Sequence, residues 1–158
     1  MAIAVITILL LALTAFAAMA IQSQSPPKTL GLQDGMLRAC PDKPNCLCSE
    51  AILSANVRNR SEPIAIFSGH SQKRAWQLLR QAVIHSGGTI EQERDGYLHA
   101  TYSSRLFRFI DDFEARLDRQ AGVIHLRSAS RVGHSDFDAN RKRVETIRRE
   151  YLKGLSQQ

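Results

Sequence analysis

Hydrophobic and polar positions divide the chain into an unpatterned apolar leader and a periodic body. From Met1 to Ile21 there is no charged side chain, and Ala, Leu and Ile dominate. Such a run is long enough to cross a bilayer as a helix. In the body, Ser71 precedes a helix over Gln72 to Ser86, with Trp76, Leu79, Ala82 and Val83 on one face and Gly87 and Gly88 as its stop. Trp76 reads as a core anchor of that helix. A second helix follows Ser135, where Ser135 and Asp138 have capping-box spacing. Its apolar stripe is Val144, Ile147, Tyr151 and Leu155, with Arg141, Glu145 and Arg149 at i,i+4 spacing on the outer face.

Between the helices the period changes to two, the mark of half-buried strands. Thr89 to Glu93 and Gly96 to Ser103 are joined at Asp95-Gly96, and Asp111 to Asp118 and Val123 to Ser130 are joined by Arg119 to Gly122. Leu98, Ala100, Tyr102, Phe113, Ala115, Leu117, Ile124 and Leu126 fall on the apolar side. The opposite side carries His99, Thr101, Asp112, Glu114, Arg116, His125 and Arg127. Hairpin pairing sets Glu114 or Asp112 against Arg127. It also sets Asp111, which shares the apolar parity, against Ser128 or Ser130. A carboxylate on a core face needs a partner, because burying it alone is costly.

The pattern predicts an α+β fold: a four-stranded antiparallel meander with two amphipathic helices packed on one face. It is preceded by a disulfide-fastened loop region and the N-terminal hydrophobic helix. The expected division is a signal peptide or membrane anchor over 1–21, a polar, proline-bearing tether over 22–28, and a single α+β domain over 29–155. Ala18-Met19-Ala20 fits a small-x-small cleavage site, whereas the length of the apolar run and the lack of a preceding Lys or Arg fit retention. Either reading takes the domain across a membrane, to the extracytoplasmic side. Residues 29–63 show little periodicity, and Pro63 to Phe67 is a short extended segment. In an oxidising compartment Cys40 and Cys46 are the first choice for a disulfide, with Cys48 a free thiol or the alternative partner of Cys40. A zinc site using His70 or His134 is the competing reading, but C-x5-C-x-C lacks the paired spacing of structural zinc. No metal or cofactor is assigned.

The runs FRFIDDFEARLD and RSASRVGHSDFDANRKRVETIR, with CPDKPNC upstream, resemble the uncharacterised family named domain of unknown function 1499. The resemblance covers roughly Leu30 to Tyr151. The family usually has Leu-Gly-Val before the Asn-Arg pair, where Phe137-Asp138-Ala139 stands here, and usually lacks a third cysteine such as Cys48. The resemblance implies a fold and a region of interest, and carries no activity.

The net charge is +6 and none of it lies in the leader, so the domain is basic. Lys and Arg concentrate at Arg141, Lys142, Arg143, Arg148, Arg149 and Lys153. Outside a membrane such a face suits anionic lipid headgroups or acidic glycans. No RNP, helix-turn-helix or zinc-finger signature points to nucleic acid. The leading expectation is a non-catalytic binding module for a small phosphate- or carboxylate-bearing ligand or lipid headgroup. Its expected site is the corner of Asp111, Ser128, Ser130, Arg131, Ser135, Asp136, Asn140 and Arg141 at the start of the second helix. One alternative is a membrane-tethered assembly factor with a protein partner. Another is a hydrolase using Asp112, Glu114 and His125, although no G-x-S-x-G, P-loop or H-E-x-x-H motif is present.

Overall fold

The computed structural model describes residues 1–50 and 56–156. Helix α1 (Ala2–Gln24) is exposed along its apolar length, with mean hydropathy 2.6 over its most apolar window. The helix therefore runs beyond Ile21 and takes in Gln22, Ser23 and Gln24. Next come the hairpin β1 (Leu32–Gln33) and β2 (Met36–Leu37), then β3 (Cys46–Cys48), a 3-10 turn (Val57–Asn59) and β4 (Ile64–Ala65). Helix α2 (Gln72–His85), strands β5 (Thr89–Arg94), β6 (Tyr97–Ser103), β7 (Ile110–Asp118) and β8 (Val123–Ser130), and helix α3 (Ala139–Ser156) complete the order.

The simple four-stranded meander expected from the pattern is not what forms. The sheet is six-stranded and antiparallel, in the order β3-β8-β7-β6-β5, with β4 also paired to β8. The meander survives as its β5-to-β8 portion. Two short strands share the outer edge of β8: Cys46–Cys48 lies against Arg127–Ala129, and Ile64–Ala65 against Val123–Ile124. β3 is too short for a period to show, which is why residues 29–63 read as loop, whereas β4 falls within the segment expected to be extended; 51–55 lie outside the described residues. Covering the edge of β8 satisfies a row of backbone groups that would otherwise invite another chain.

On one face, Leu78, Leu79, Ala82 and Val83 of α2 and Val144, Ile147 and Tyr151 of α3 close over Leu98, Ala100, Phe113, Ala115, Ile124 and Leu126. Trp76 lies at the rim of this core, half-buried, with its indole N–H donating to Glu93 at 2.9 Å. Ser71 caps α2 by accepting from the Arg74 amide, and Gly87 ends it at φ 92°. Helix α3 starts later than the Ser135–Asp138 spacing implies. Phe137 and Asp138 have positive φ (51° and 65°), so Asp138 cannot occupy a first helical turn. Asp136 is the cap instead, accepting from the Asn140 amide at 2.8 Å.

The second face is not open. His99, Asp112, Glu114 and Arg127 are all buried, Glu114 completely, beneath the end of α1 and the segment running to Glu50. Gly31 donates its amide to Glu114 Oε1 at 2.8 Å, and Leu37 donates to Glu50. Leu37, Cys48 and Tyr97 form a small apolar cluster on this side with Cys40. Cys40 and Cys46 are bonded, with Cα atoms 5.6 Å apart, and Cys48 is a buried free thiol.

A glycine contrast tests the packing. A Cβ at Gly88 would stand 2.8 Å from the Tyr102 ring and 2.9 Å from Val83 Cγ1, whereas at Gly154 the nearest atom is a Leu78 methyl carbon that can swing aside. Gly88→Ala should cost about 1–3 kcal/mol in urea unfolding. Gly154→Ala should be nearly neutral, because a helix-propensity gain of about 1 kcal/mol offsets the contact.

Candidate functional site

The layer between the sheet and its cover is built from carboxylates and arginines placed by strand parity. Glu114 sits opposite Arg127 in the β7–β8 register. It accepts from Arg127 Nη1 at 2.8 Å, from the Tyr97 hydroxyl at 2.7 Å and from Gly31 N. Burial, and then the Glu114 charge, push the Tyr97 phenol far above its usual range, so it stays a donor. Asp112 accepts both Arg131 Nε (2.8 Å) and Nη2 (2.7 Å), and its Oδ1 lies 2.8 Å from His99 Nε2. Burial alone would raise the Asp112 pKa. The hydrogen bonds from His99 and Arg131, with their charges, outweigh it and hold the carboxyl below its ordinary value. Arg131 Nη1 then reaches the Ser23 and Gln24 carbonyls at 3.0 and 3.2 Å. It thus places a cation on the last free carbonyls of α1, where the helix dipole favours one.

Beside this layer opens a cavity of about 590 Å³. Met19 and Gln22 of α1 form one wall, and the Cys40–Cys46 loop with Lys43 and Asn45 forms another. Arg38, Arg127, Ser130 and Arg131 also line it. The Nε atoms of Arg38 and Arg127 are both buried without a hydrogen-bond partner among the described residues. The Arg127 side chain is 6 % exposed. The Arg127 charge itself is paired through Nη1 to Glu114 Oε2, and its Nε–H is the group that lacks an acceptor among the described residues.

The corner expected from the sequence is divided by the sheet. Arg131 reaches the cavity; Ser130 also borders it, but its hydroxyl is held by Asn140 on the helix side. Asp111, Ser128 and Asn140 gather on the helix side around Arg143, which is 2.5 Å from Asp111 Oδ2 and 2.8 Å from Ser128 Oγ, with its guanidinium stacked over Tyr102. Asn140 Nδ2 donates to Asn45 O, Ser130 Oγ and Asp136 Oδ2. Ser135, Asp136, Asn140 and Arg141 line a separate cavity of about 520 Å³ with Arg58, and Arg141 donates to the Arg58 carbonyl at 2.6 Å. The basic helix face is partly consumed in the same way. Arg143 is engaged as above, and Arg148 bonds Pro63 O, Ser61 Oγ and Glu62 O.

The hydrolase candidates do not converge. Asp112 and Glu114 are held in separate arginine pairs. His125 Nδ1 lies 3.3 Å from Ser49 Oγ, and its Nε2 is 4.0 Å from Glu50 and Asp118. Burial keeps this imidazole below its usual pKa, against the pull of Glu50 and with the help of Arg116. Ser49 Oγ is committed to the Leu126 amide at 2.7 Å. Among the described residues no cluster of His, Cys, Asp and Glu suits a metal ion.

Residues 36–151 match the family described as Protein of unknown function (DUF1499). The chain belongs to the DUF1499 family. No curated protein matches it. In this DUF1499 protein the cavity-lining cations that the expected corner left out are Arg127, which the alternation placed only on the polar sheet face, and Arg38 and Lys43. For the last two the signal was position: one stands two residues before Cys40, the other inside the disulfide loop.

The buried pair sets a pH dependence. Because the Asp112 pKa is depressed on folding, its stabilisation is complete above the ordinary 3.8 and is lost as pH falls through the lower folded value. Asp112→Asn leaves Arg131 buried with its charge unpaired. It should cost about 3–5 kcal/mol near pH 7 and should flatten the loss of stability below about pH 4, both read by urea unfolding across pH.

Proposed function

We propose that this protein is a membrane-held, non-catalytic binding module that takes a phosphate or carboxylate group into the cavity at the base of α1. The observation that carries the reading is the Arg127 guanidinium, almost wholly buried in the cavity wall with its Nε unpartnered among the described residues. Arg127 and Arg131 are matched by Glu114 and Asp112, so Arg38 and Lys43 leave the cavity positive. An anion entering there gains charge-assisted bonds. Binding is preferred to hydrolysis because the acid–base candidates are tied into ion pairs and the Ser49 hydroxyl serves the β8 backbone.

Retention of α1 as an anchor, with the domain on the extracytoplasmic side, is part of the same proposal. What supports retention is contact upstream of Ala20. Phe16 stacks on Phe107 with centroids 4.9 Å apart, and Met19 forms cavity wall. A phosphate on a lipid headgroup and a free phosphate present the same chemistry to the arginines, and experiment separates them.

The test uses the full chain in nanodiscs of phosphatidylcholine, with phosphatidylglycerol added in one arm and glycerol phosphate in solution in the other. Native mass spectrometry should show a retained anion. The Arg38→Gln/Lys43→Gln variant should weaken its binding about tenfold or more, from the loss of one or two charge-assisted bonds. Equal binding by parent and variant in both arms would sink the reading.

A further inference from the structure

The connection between β6 and β7 is an exposed tip, Ser104 to Phe109, whose surface contradicts an aqueous setting. Leu106 is 79 % exposed, and Phe107 is exposed as well. Arg105 and Arg108 flank these two residues and are also exposed. The tip is closed at its base. Ser104 N donates to Phe109 O, Ser104 O accepts from the Arg108 amide, and Ser104 Oγ accepts from the Phe109 amide at 3.0 Å. Arg108 takes a positive φ of 56° to complete the turn. This geometry fixes the direction in which Leu106 and Phe107 project. A fixed apolar tip on a protein surface marks a place that meets something apolar.

The occupant follows from the neighbour. Phe107 stacks on Phe16 of α1 with rings inclined by 15°, and Phe109 adds tilted contacts to both. Gln24 Nε2 donates to Arg108 O at 3.0 Å, which holds the base of the tip to the helix end. Phe16 stands five residues before Ile21, the last apolar residue of the run. At the helical rise this is roughly 8 Å toward the middle of an apolar span. A side chain stacked on Phe16 shares that depth, which matches the roughly 5–10 Å reached by interfacial apolar faces. Arginines beside such a tip have stems long enough to return their charges to the phosphate level.

We propose that the β6–β7 tip enters the leaflet through which α1 leaves the membrane, with Leu106 and Phe107 among the acyl chains and Arg105 and Arg108 on lipid phosphates. The inference rests on α1 being a retained anchor, and not on any ligand of the cavity. Two contacts then orient the domain, and the mouth of the cavity walled by Met19 and Gln22 is held near the headgroups.

Trp76 is the chain's one tryptophan, so Trp76→Phe gives a silent background. Leu106→Trp and, separately, Phe16→Trp are introduced into the full chain and reconstituted in vesicles containing lipids brominated at shallow acyl positions. Because Leu106 is exposed, its replacement leaves the core untouched. Blue-shifted emission and bromine quenching of both probes are the expected result. Quenching of Phe16→Trp with water-like, unquenched emission from Leu106→Trp would overturn insertion and leave the anchor standing; it would point to a protein or a second copy as the partner of the tip. Neither probe quenched would overturn the anchor and the insertion together.

Discussion

The structure depends on one guanidinium. Arg131 forms a two-point ion pair with Asp112 and, with its remaining amino group, caps the carbonyls that end α1. The partner most costly without it is the Asp112 carboxylate, almost wholly buried, followed by the carbonyl of the buried Ser23 at the helix end. Lysine could not replace Arg131, since four acceptor oxygens in this arrangement require the planar fork. The same residue marks where sheet, helix and cavity meet. Its position directly after β8 therefore matters more than its charge alone.

Glu50 and Glu114 do comparable work for the segment laid over the second face. Glu114 receives Gly31 N, and Glu50 receives Leu37 N together with the Arg116 guanidinium. Hydrogen bonds to ionised groups contribute about 1.5–3 kcal/mol each where the alternative is an unpaired buried charge. A stretch with only two- and three-residue strands is thereby held without a ladder of its own. The disulfide adds a local constraint between residues six apart, and so short a loop gives little entropic stabilisation. Its larger effect is to fix Lys43 and Asn45 in the cavity wall.

This division of labour explains what could be read in advance. The alternation in β6, β7 and β8 was legible, and the β7–β8 register to within one pairing step: Glu114 or Asp112 was expected against Arg127 and Asp111 against Ser128 or Ser130, and the structure pairs Glu114 with Arg127 and Asp111 with Ser130. The stripes of α2 and α3 were legible because core contact enforces their period. Parity alone, however, cannot separate a solvated polar face from a buried layer of ion pairs, since both alternate identically. The roof had no period to display, and the edge strand β3 was hidden with it; β4 lies within the extended segment expected at Pro63 to Phe67, but its pairing with β8 was not legible. Local motif spacing failed at α3 for a different reason. Phe137 and Asp138 turn left-handed, so the capping role passed from Ser135 to Asp136. The expected corner mixed residues from both faces because closeness in sequence at the end of a strand says nothing about which side each side chain takes.

The position of the small-x-small site gives α1 a double character. Cleavage after Ala20 would spare Ser23 and Gln24, so the carbonyls held by Arg131 and the Ser23 hydroxyl that accepts from Ile110 N would stay in place. The fold would then keep its central tie. Cleavage would remove Phe16 and Met19, and with them the aromatic stack on Phe107 and part of the cavity wall. The contacts that tie α1 to the sheet thus lie on one side of the site, and those that complete the cavity wall lie on the other. A processed chain would keep the Arg131 tie and lose Met19 from the α1 wall of the cavity. On the proposed reading, retention of the leader is what would bring the cavity beside Arg127 to a membrane surface.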